Sequence, residues 1–240
     1  MRTLLTTAAF AALAFSANAA NLVTNGGFET TTFTSATEIN ATNVPGWTTN
    51  GYNFVFFPGT ADTTGSYTPQ FNGNLTLWGP NDGSANGLPA SSPDGGNFVG
   101  ADGAYEVGAI SQTINGLTPG QKYAVNFYWG GAQQNGFSGA TTEEWDVSLG
   151  AQTQSTAILN NVNHGFTGWQ AQTFFYTATS SSEVLSFLAN GTPNGEPPFS
   201  LLDGVSLTAV PEPASWALMF MGFGGLGAVA RRRRTAALAA

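Results

Sequence analysis

Residues 119–129 read Pro-Gly-Gln-Lys-Tyr-Ala-Val-Asn-Phe-Tyr-Trp. After the Pro-Gly pair, the odd positions from Tyr123 to Trp129 are all aromatic or aliphatic, whereas the even positions from Lys122 to Tyr128 are mixed. Successive side chains of a β-strand point to opposite faces, so this spacing predicts a strand with one buried face. The stretch 145–149 shows the same pattern, with Trp145 inward and Glu144 and Asp146 on the solvated face.

The same short apolar or alternating runs recur along the chain, separated by Pro-Gly, Asn-Gly and Asp-Gly pairs that are typical of turns. Eight strands are predicted, at 52–57, 74–78, 109–114, 123–129, 145–149, 169–177, 184–189 and 204–208. No segment between residues 20 and 208 keeps a helical period. The sequence therefore predicts an all-β fold, an antiparallel β-sandwich of the jelly-roll type.

The N-terminus has the order of a secretory signal peptide. Arg2 precedes an apolar, alanine-rich run at 4–15, and Ala17-Asn18-Ala19 forms a small-x-small cleavage site. Signal peptidase is therefore an expected partner, with cleavage after Ala19. Residues 1–19 are the predicted signal peptide and residues 20–208 the predicted β-sandwich domain.

The C-terminus carries a second targeting signal. Pro211 and Pro213 flank Glu212 and break the preceding strand, and an uncharged apolar run follows at 214–230. As a helix this run would be about 25 Å long, a little short of the hydrocarbon core of a bilayer. The apolar run ends at four consecutive arginines, Arg231, Arg232, Arg233 and Arg234, which predict that this end of the helix lies on the cytoplasmic side. The preceding domain is then expected outside the cytoplasmic membrane.

These elements resemble the sorting signal of PEP-CTERM proteins, in the variant with a Trp-Ala pair at Trp216 and Ala217. The resemblance implies a Gram-negative host that makes exopolysaccharide and recognition by an exosortase, a membrane-embedded cysteine protease that cleaves near Pro-Glu-Pro. It covers 209–235 and leaves a short tail at 236–240. It implies a surface or extracellular location and no particular activity.

The charge balance restricts the partners of the domain. Between residues 20 and 210, Lys122 is the single base against thirteen acids, a formal net charge of −12. Nucleic acid is excluded as a partner because its recognition needs clustered Lys and Arg. The chain has no cysteine, so disulfides and thiolate chemistry are excluded as well. Divalent cations and neutral sugars remain.

A second resemblance covers most of 21–208. The opening at 21–29, Pro45-Gly46-Trp47, the segment 94–99 and the close at 202–207 resemble galactose-binding-like jelly rolls, which include many carbohydrate-binding modules. The resemblance implies a structural Ca²⁺ held by Glu29 and Asp203. Asp203 shares the strand parity of Val205 and Leu207, so it is expected on the core side, where a carboxylate needs a partner. A turn-capping role for Asp203 is the open alternative.

Among the aromatic residues, Trp78 and Tyr128 are the predicted ligand contacts, because Trp78 ends a strand and Tyr128 stands on an outer face. Trp47, Trp129, Trp145 and Trp169 are expected in the core. No catalytic residue is predicted: His164 is a lone loop histidine, and Glu144 and Asp146 share a solvated face with no basis for a raised pKa.

The sequence thus predicts a non-enzymatic, exported protein that binds polysaccharide in the extracellular matrix or envelope. Two alternatives stay open. One is a structural or adhesive matrix protein with calcium-dependent self-association, and the more remote one is a glycoside-active enzyme that uses Glu143, Glu144 or Asp146.

Overall fold

The computed structural model describes residues 20–68 and 73–211. Within them, thirteen strands form two facing sheets. The strands are β1 (Thr37–Glu38), β2 (Asn53–Phe56), β3 (Ser66–Thr68), β4 (Gly73–Leu75), β5 (Phe98–Asp102), β6 (Ile110–Asn115), β7 (Lys122–Gln133), β8 (Thr141–Leu149), β9 (Gln152–Ser155), β10 (Leu159–Asn161), β11 (Gln170–Thr177), β12 (Ser182–Thr192) and β13 (Pro198–Ala209). The larger sheet has the order β11-β7-β13-β5-β2-β1-β3-β4, and the smaller β10-β8-β12-β6, with β9 paired to β8.

The main core lies between the two sheets and confirms the predicted jelly-roll sandwich. Trp47, Trp129 and Trp145 are almost fully buried there. Phe187 of β12 lies edge-on to the Trp47 and Trp145 rings, at centroid distances of 6.2 and 6.0 Å. Strand β7 contributes the odd positions from Tyr123 to Trp129 to this core, as its alternation predicts.

The eight predicted strands are all present, and five others have no clear signal in the sequence. Strand β5 is buried on both faces and so lacks an alternating pattern, while β1, β3, β9 and β10 have only two to four residues. The predicted helix at 214–230 lies outside the described residues. In the part of the chain that is described, no helix is long and apolar enough to cross a membrane.

The larger sheet curls back on itself. Beyond β4, Leu77 forms a bridge with Gln134, directly after β7, and the Trp78 N–H donates to the Gln133 carbonyl at 2.9 Å. The curled portion encloses a second apolar cluster on the face turned away from the main core. Its buried members are Tyr52, Phe54, Phe56, Ala61, Leu75, Leu77, Leu88, Phe98, Ala132, Phe199 and Leu201.

A β-bulge in β13 corrects the predicted orientation of Asp203. Asp203 pairs with Tyr128 of β7, but the register shifts before Ser206, and Gly204 has a φ of 59°. The extra residue at the bulge reverses the alternation, so that odd-numbered side chains before and after it point to opposite faces of the sheet. Asp203 therefore lies on the Tyr128 face, away from the main core that receives Val205 and Leu207.

Candidate functional site

The curled sheet is open at one end, and this mouth forms a cleft of about 470 Å³. Elements far apart in the sequence meet there because β2 is antiparallel to β5 and to β1, whereas β3 is parallel to β1, so that the start of β2 lies beside the ends of β5 and β3. The cleft is lined by residues at the start of β2, at the ends of β3 and β5 and in β4. The segment after β7 and the segment before β13 complete the lining. We call it the mouth cleft; its lining residues are Tyr52, Thr68, Gly73, Asn74, Leu75, Asp102, Tyr105, Gln134, Phe137, Asn194, Gly195 and Pro197.

Aromatic rings form one part of the mouth cleft. Tyr52 is buried and packs edge-on against Tyr105, with centroids 5.4 Å apart. Tyr105 and Phe137 are exposed by 41% and 37%. Asn74, Gln134 and Asn194 add amide groups to the lining. Apolar surface with a few polar groups around it is typical of a small-molecule binding site.

Asp102 is the charged group in the lining, and it is only 2% exposed. Its Oδ1 accepts hydrogen bonds from the backbone N–H groups of Ala104 and Tyr105, at 2.8 and 3.1 Å. Its Oδ2 is buried and has no hydrogen-bond partner among the described residues. Burial raises the pKa of Asp102 to about 6, against the lowering effect of the two N–H groups.

The residues predicted to hold calcium share one neighbourhood, at the bulge of β13. A Cβ placed on Gly27 would lie 3.3 Å from Asp94 Oδ2 and 3.8 Å from Asp203 Oδ1, so both carboxylates face the backbone at Gly27. Glu29 is beside them, but its Oε1 accepts the Asn97 N–H at 2.7 Å. The glycine pair that follows Asp94, at 95–96, lies in the segment that resembles the jelly-roll family and could have drawn attention to Asp94.

Asp203 is fully buried, and only one of its oxygens has a partner. The Ser92 hydroxyl donates to Oδ2, whereas Oδ1 has no partner in the described part of the chain. Burial raises the pKa of Asp203 to about 7, and the charges of Asp94 and Glu29 add to this, while hydrogen bonds from Ser92 and Gly204 oppose it. Among residues 20–68 and 73–211, no group of three His, Cys, Asp or Glu side chains could hold a metal ion as they stand. A cation at Asp203 and Asp94 would need carbonyl, hydroxyl or water oxygens as its remaining ligands.

The two predicted ligand contacts lie apart from each other. Trp78 is half-buried: its ring stacks on His164 at 3.8 Å, and its indole N–H donates to the Phe137 carbonyl at 2.8 Å. It therefore supports the segment that carries Phe137 into the mouth cleft. Tyr128 is half-buried on the outer face of β7, against Gly204 and beside the residues predicted to hold calcium.

His164 is more constrained than a solvated loop side chain. Its Nε2 lies 2.8 Å from the Ser138 hydroxyl. A hydroxyl nucleophile would also need N–H donors for an oxyanion. The N–H groups of Ser138 and Gly139 are already taken, by Glu196 Oε2 at 2.9 Å and by Asn163 Oδ1 at 2.6 Å.

The acids of β8 differ from the prediction. Partial burial and the charge of Asp146 raise the pKa of Glu144, so the predicted absence of any cause for such a shift is wrong. Glu143 is fully buried, and burial raises its pKa to about 8. A Cβ on Gly131 would lie 2.3 Å from Glu143 Oε2, so this carboxyl group is packed against the backbone of β7.

The predicted signals lie mostly outside the described residues. These are the cleavage-site residues Ala17 and Ala19, and Glu212, Pro213, Trp216 and the arginines 231–234 of the sorting motif. Pro211 is the last described residue and is exposed.

Comparison with known proteins gives one curated relative, Halomucin of Haloquadratum walsbyi. It is 28% identical over 207 residues, which are 82% of this chain but 2% of Halomucin. The chain therefore spans a very small part of that relative.

Solved structures of low similarity include carbohydrate-binding modules. TmCBM61 in complex with beta-1,4-galactotriose has 16% identity and a TM-score of 0.41, over 80% of this chain and 99% of that one. The CBM22-1 xylan-binding domain of Paenibacillus barcinonensis Xyn10C has 14% identity and a TM-score of 0.37, over 74% and 94%. The arabinose-bound MgGH51 α-L-arabinofuranosidase has 15% identity and a TM-score of 0.40, over 80% and 27%.

Two families match the chain. The PEP-CTERM protein-sorting motif matches residues 209–234, which confirms the resemblance found in the sequence and indicates a secreted, surface-sorted protein. The second match, at residues 81–207, covers just over half of the chain and most of the sandwich. The chain belongs to the family described as protein of unknown function (DUF642).

Proposed function

We propose that this protein is a non-enzymatic, polysaccharide-binding protein of the cell surface or extracellular matrix, and that the mouth cleft is its sugar site. The observation that carries the proposal is the lining of that cleft, where the exposed rings of Tyr105 and Phe137 stand beside Asp102 and the amides of Asn74 and Asn194. The apolar face of a sugar ring packs on an aromatic ring, while its hydroxyl groups need amide and carboxylate partners.

The proposal that the protein is not an enzyme rests on the arrangement of its candidate groups. Ser138 and His164 are hydrogen-bonded, but the neighbouring N–H groups that could stabilise an oxyanion have other acceptors. Glu143 has a raised pKa, but it is packed against Gly131 in the interior. A glycoside-active site needs two carboxylates that flank a bound sugar.

We also propose a structural Ca²⁺ at Asp203 and Asp94, with Glu29 at its edge. Support comes from the unpartnered Asp203 Oδ1 and from the shared space beside Gly27. Lys122, the one base between residues 20 and 211, is bound elsewhere, with its Nζ 4.5 Å from the centre of the Phe175 ring. A cation is therefore the available counter-charge for this buried carboxylate.

For the route to the surface, we propose cleavage by signal peptidase after Ala19, transient anchoring by the apolar segment 214–230 and processing by an exosortase near Pro211-Glu212-Pro213. These steps rest on the sorting-motif match and on the order of the sequence elements.

Affinity for neutral oligosaccharides tests the sugar site. Tyr105→Ala removes an exposed ring of the mouth cleft and is expected to weaken binding about tenfold, the loss that about 1.4 kcal/mol of stacking would cause. Isothermal titration with a panel of neutral glycans measures it. Tyr67→Ala is the matched control, because Tyr67 is equally exposed, at 44%, but lies outside the cleft lining.

If Tyr67→Ala lowered the affinity as much as Tyr105→Ala, the mouth cleft would not be the sugar site. Trp78→Ala adds a comparison for the Trp78 prediction. We expect an intermediate loss of affinity, because the Trp78 indole N–H donates to the Phe137 carbonyl and so helps to position Phe137.

A further inference from the structure

Acidic side chains surround the mouth cleft. Asp102 is part of the lining, and Glu38 and Glu106 stand close to the Tyr52 phenol. The pKa of Tyr52 is raised first by burial and then by the negative charges of these three acids. A fourth acid, Glu196, lies next to the lining residues, because its Oε2 accepts the N–H of Ser138, the neighbour of Phe137.

No lysine or arginine in the described residues opposes these acids, and the His164 ring near the cleft is hydrogen-bonded to the Ser138 hydroxyl. Lys122, the single Lys or Arg of residues 20–211, is at the first position of β7, whereas the mouth cleft begins beyond the last position of that strand. Twelve residues at about 3.3 Å each separate the two ends of β7, a length of roughly 40 Å, which is several Debye lengths at physiological salt. The acids of the cleft therefore have no lysine or arginine to offset their negative charge.

Among these acids, Asp102 lines the cleft and has one oxygen without a hydrogen-bond partner in the described residues. Its Oδ1 is fixed by the Ala104 and Tyr105 N–H groups, and Oδ2 is buried without a partner in the described part of the chain. A buried, unpaired carboxylate oxygen is costly, and a donor that carries a positive charge compensates it better than a neutral hydroxyl.

Building on the sugar site proposed above, we infer that the mouth cleft selects polysaccharides that contain free amino sugars, with the ammonium group at Asp102 and the sugar ring against Tyr105. Neutral sugars bind more weakly because they bring only hydroxyl donors. Uronates and sulfated sugars are repelled, since Glu38, Asp102 and Glu106 would face a like charge.

Three tetrasaccharides of equal length test the inference, titrated into the purified protein at pH 6.5: β-1,4-linked glucosamine, its fully N-acetylated form and α-1,4-linked galacturonate. The amino form is expected to bind about tenfold more tightly than the acetylated form, the ratio typical of one charge-assisted hydrogen bond. The preference should shrink as salt is added.

Asp102→Asn keeps an oxygen for the Ala104 and Tyr105 N–H groups but removes the charge, so the fold is expected to persist and the preference to disappear. Glu38→Gln, which removes a neighbouring charge outside the lining, should reduce the preference partly. Glu144→Gln is the matched control, because it removes one charge on β8 of the other sheet.

Equal affinity for the amino and acetylated forms, or tighter binding of galacturonate, would overturn the inference and leave neutral-sugar binding in place. The same holds if Asp102→Asn retained the full preference. Failure of every tetrasaccharide and of the neutral glycan panel would instead reject the proposed sugar site itself.

Discussion

Glu143 is a carboxyl group at an inward position of β8, two residues before Trp145. It is fully buried between β8 and the backbone of β7 at Gly131, and its Oε2 has no partner among the described residues. The Thr141 hydroxyl donates to Oε1. Burial raises the pKa to about 8 because the charged form cannot be hydrated there. The sequence pattern assigned no face to this position, and its burial depends on a contact with a distant strand.

We predict that Glu143 makes the protein less stable as the pH rises. In the unfolded chain this group loses its proton near its ordinary pKa of about 4.5, whereas the folded protein keeps it until about pH 8. Between these values the folded state binds more protons, so the free energy of unfolding falls as the pH rises, and the loss is complete above about pH 8.

Glu143→Gln removes this pH dependence. The Tm of the variant should therefore rise relative to the Tm of the wild type between pH 5 and pH 9. Thermal unfolding at pH 5, 7 and 9 measures the difference. Glu144→Gln is the control and should change little, because Glu144 is partly exposed. A constant Tm difference for Glu143→Gln across the three pH values would contradict the prediction.

At the scale of the elements, the bulge in β13 decides the chemistry of Asp203. Strand β13 is an interior strand of the larger sheet, paired to β7 along most of its length and to β5 over residues 199–202. Its first half sends Phe199 and Leu201 to the second cluster, and its second half sends Val205 and Leu207 to the main core. The parity of 202–207 predicts a single face, and only the register shift at Gly204 shows that Asp203 faces the other way.

We predict that Ca²⁺ stabilises the fold through this bulge. Calcium at about 100 times its Kd should raise the Tm by about 5 °C or more relative to excess chelator, because a ligand of the folded state alone stabilises it by mass action. Asp203→Asn should abolish the shift, whereas Glu144→Gln should retain it. The measurement is thermal unfolding at pH 7.5.

No calcium-dependent change in the wild-type Tm would reject the proposed site. Sedimentation of the same samples tests calcium-dependent self-association separately. A larger sedimentation coefficient with Ca²⁺ would favour the structural or adhesive alternative.

At the scale of the whole molecule, the mouth cleft and the two ends of the described domain, near residues 22 and 210, lie at opposite poles. Strand β13 begins at the cleft, after Pro197, and ends at Ala209, where the Val210 N–H donates to the Lys122 carbonyl at 2.8 Å. The start of the domain is also at this second pole, because the Leu22 N–H donates to the Leu207 carbonyl at 2.9 Å. Twelve strand residues span about 40 Å. A domain held by its tail would therefore present the cleft outward.

We predict that attachment at the tail pole leaves sugar binding intact. The chain has no cysteine, so a single introduced thiol defines the attachment point. Beads coupled through Thr208→Cys should retain oligosaccharides, whereas beads coupled through Asn194→Cys, at the cleft, should not. Equal retention by both beads would contradict this arrangement.

The sequence by itself determined the secreted β-sandwich and its sorting signal. Strand alternation, turn pairs and the Pro-Glu-Pro tail are local patterns, and each is readable within about ten to thirty residues. It also identified Glu29 and Asp203, through the family resemblance, as residues that the fold brings together. The mouth cleft was not readable, because Tyr52, Asp102, Phe137 and Asn194 come from separate loops and strand ends. They meet only when the larger sheet curls and Leu77 pairs with Gln134, a contact between residues 57 positions apart. Such a pairing depends on the packing of the second apolar cluster, and only the tertiary structure supplies it.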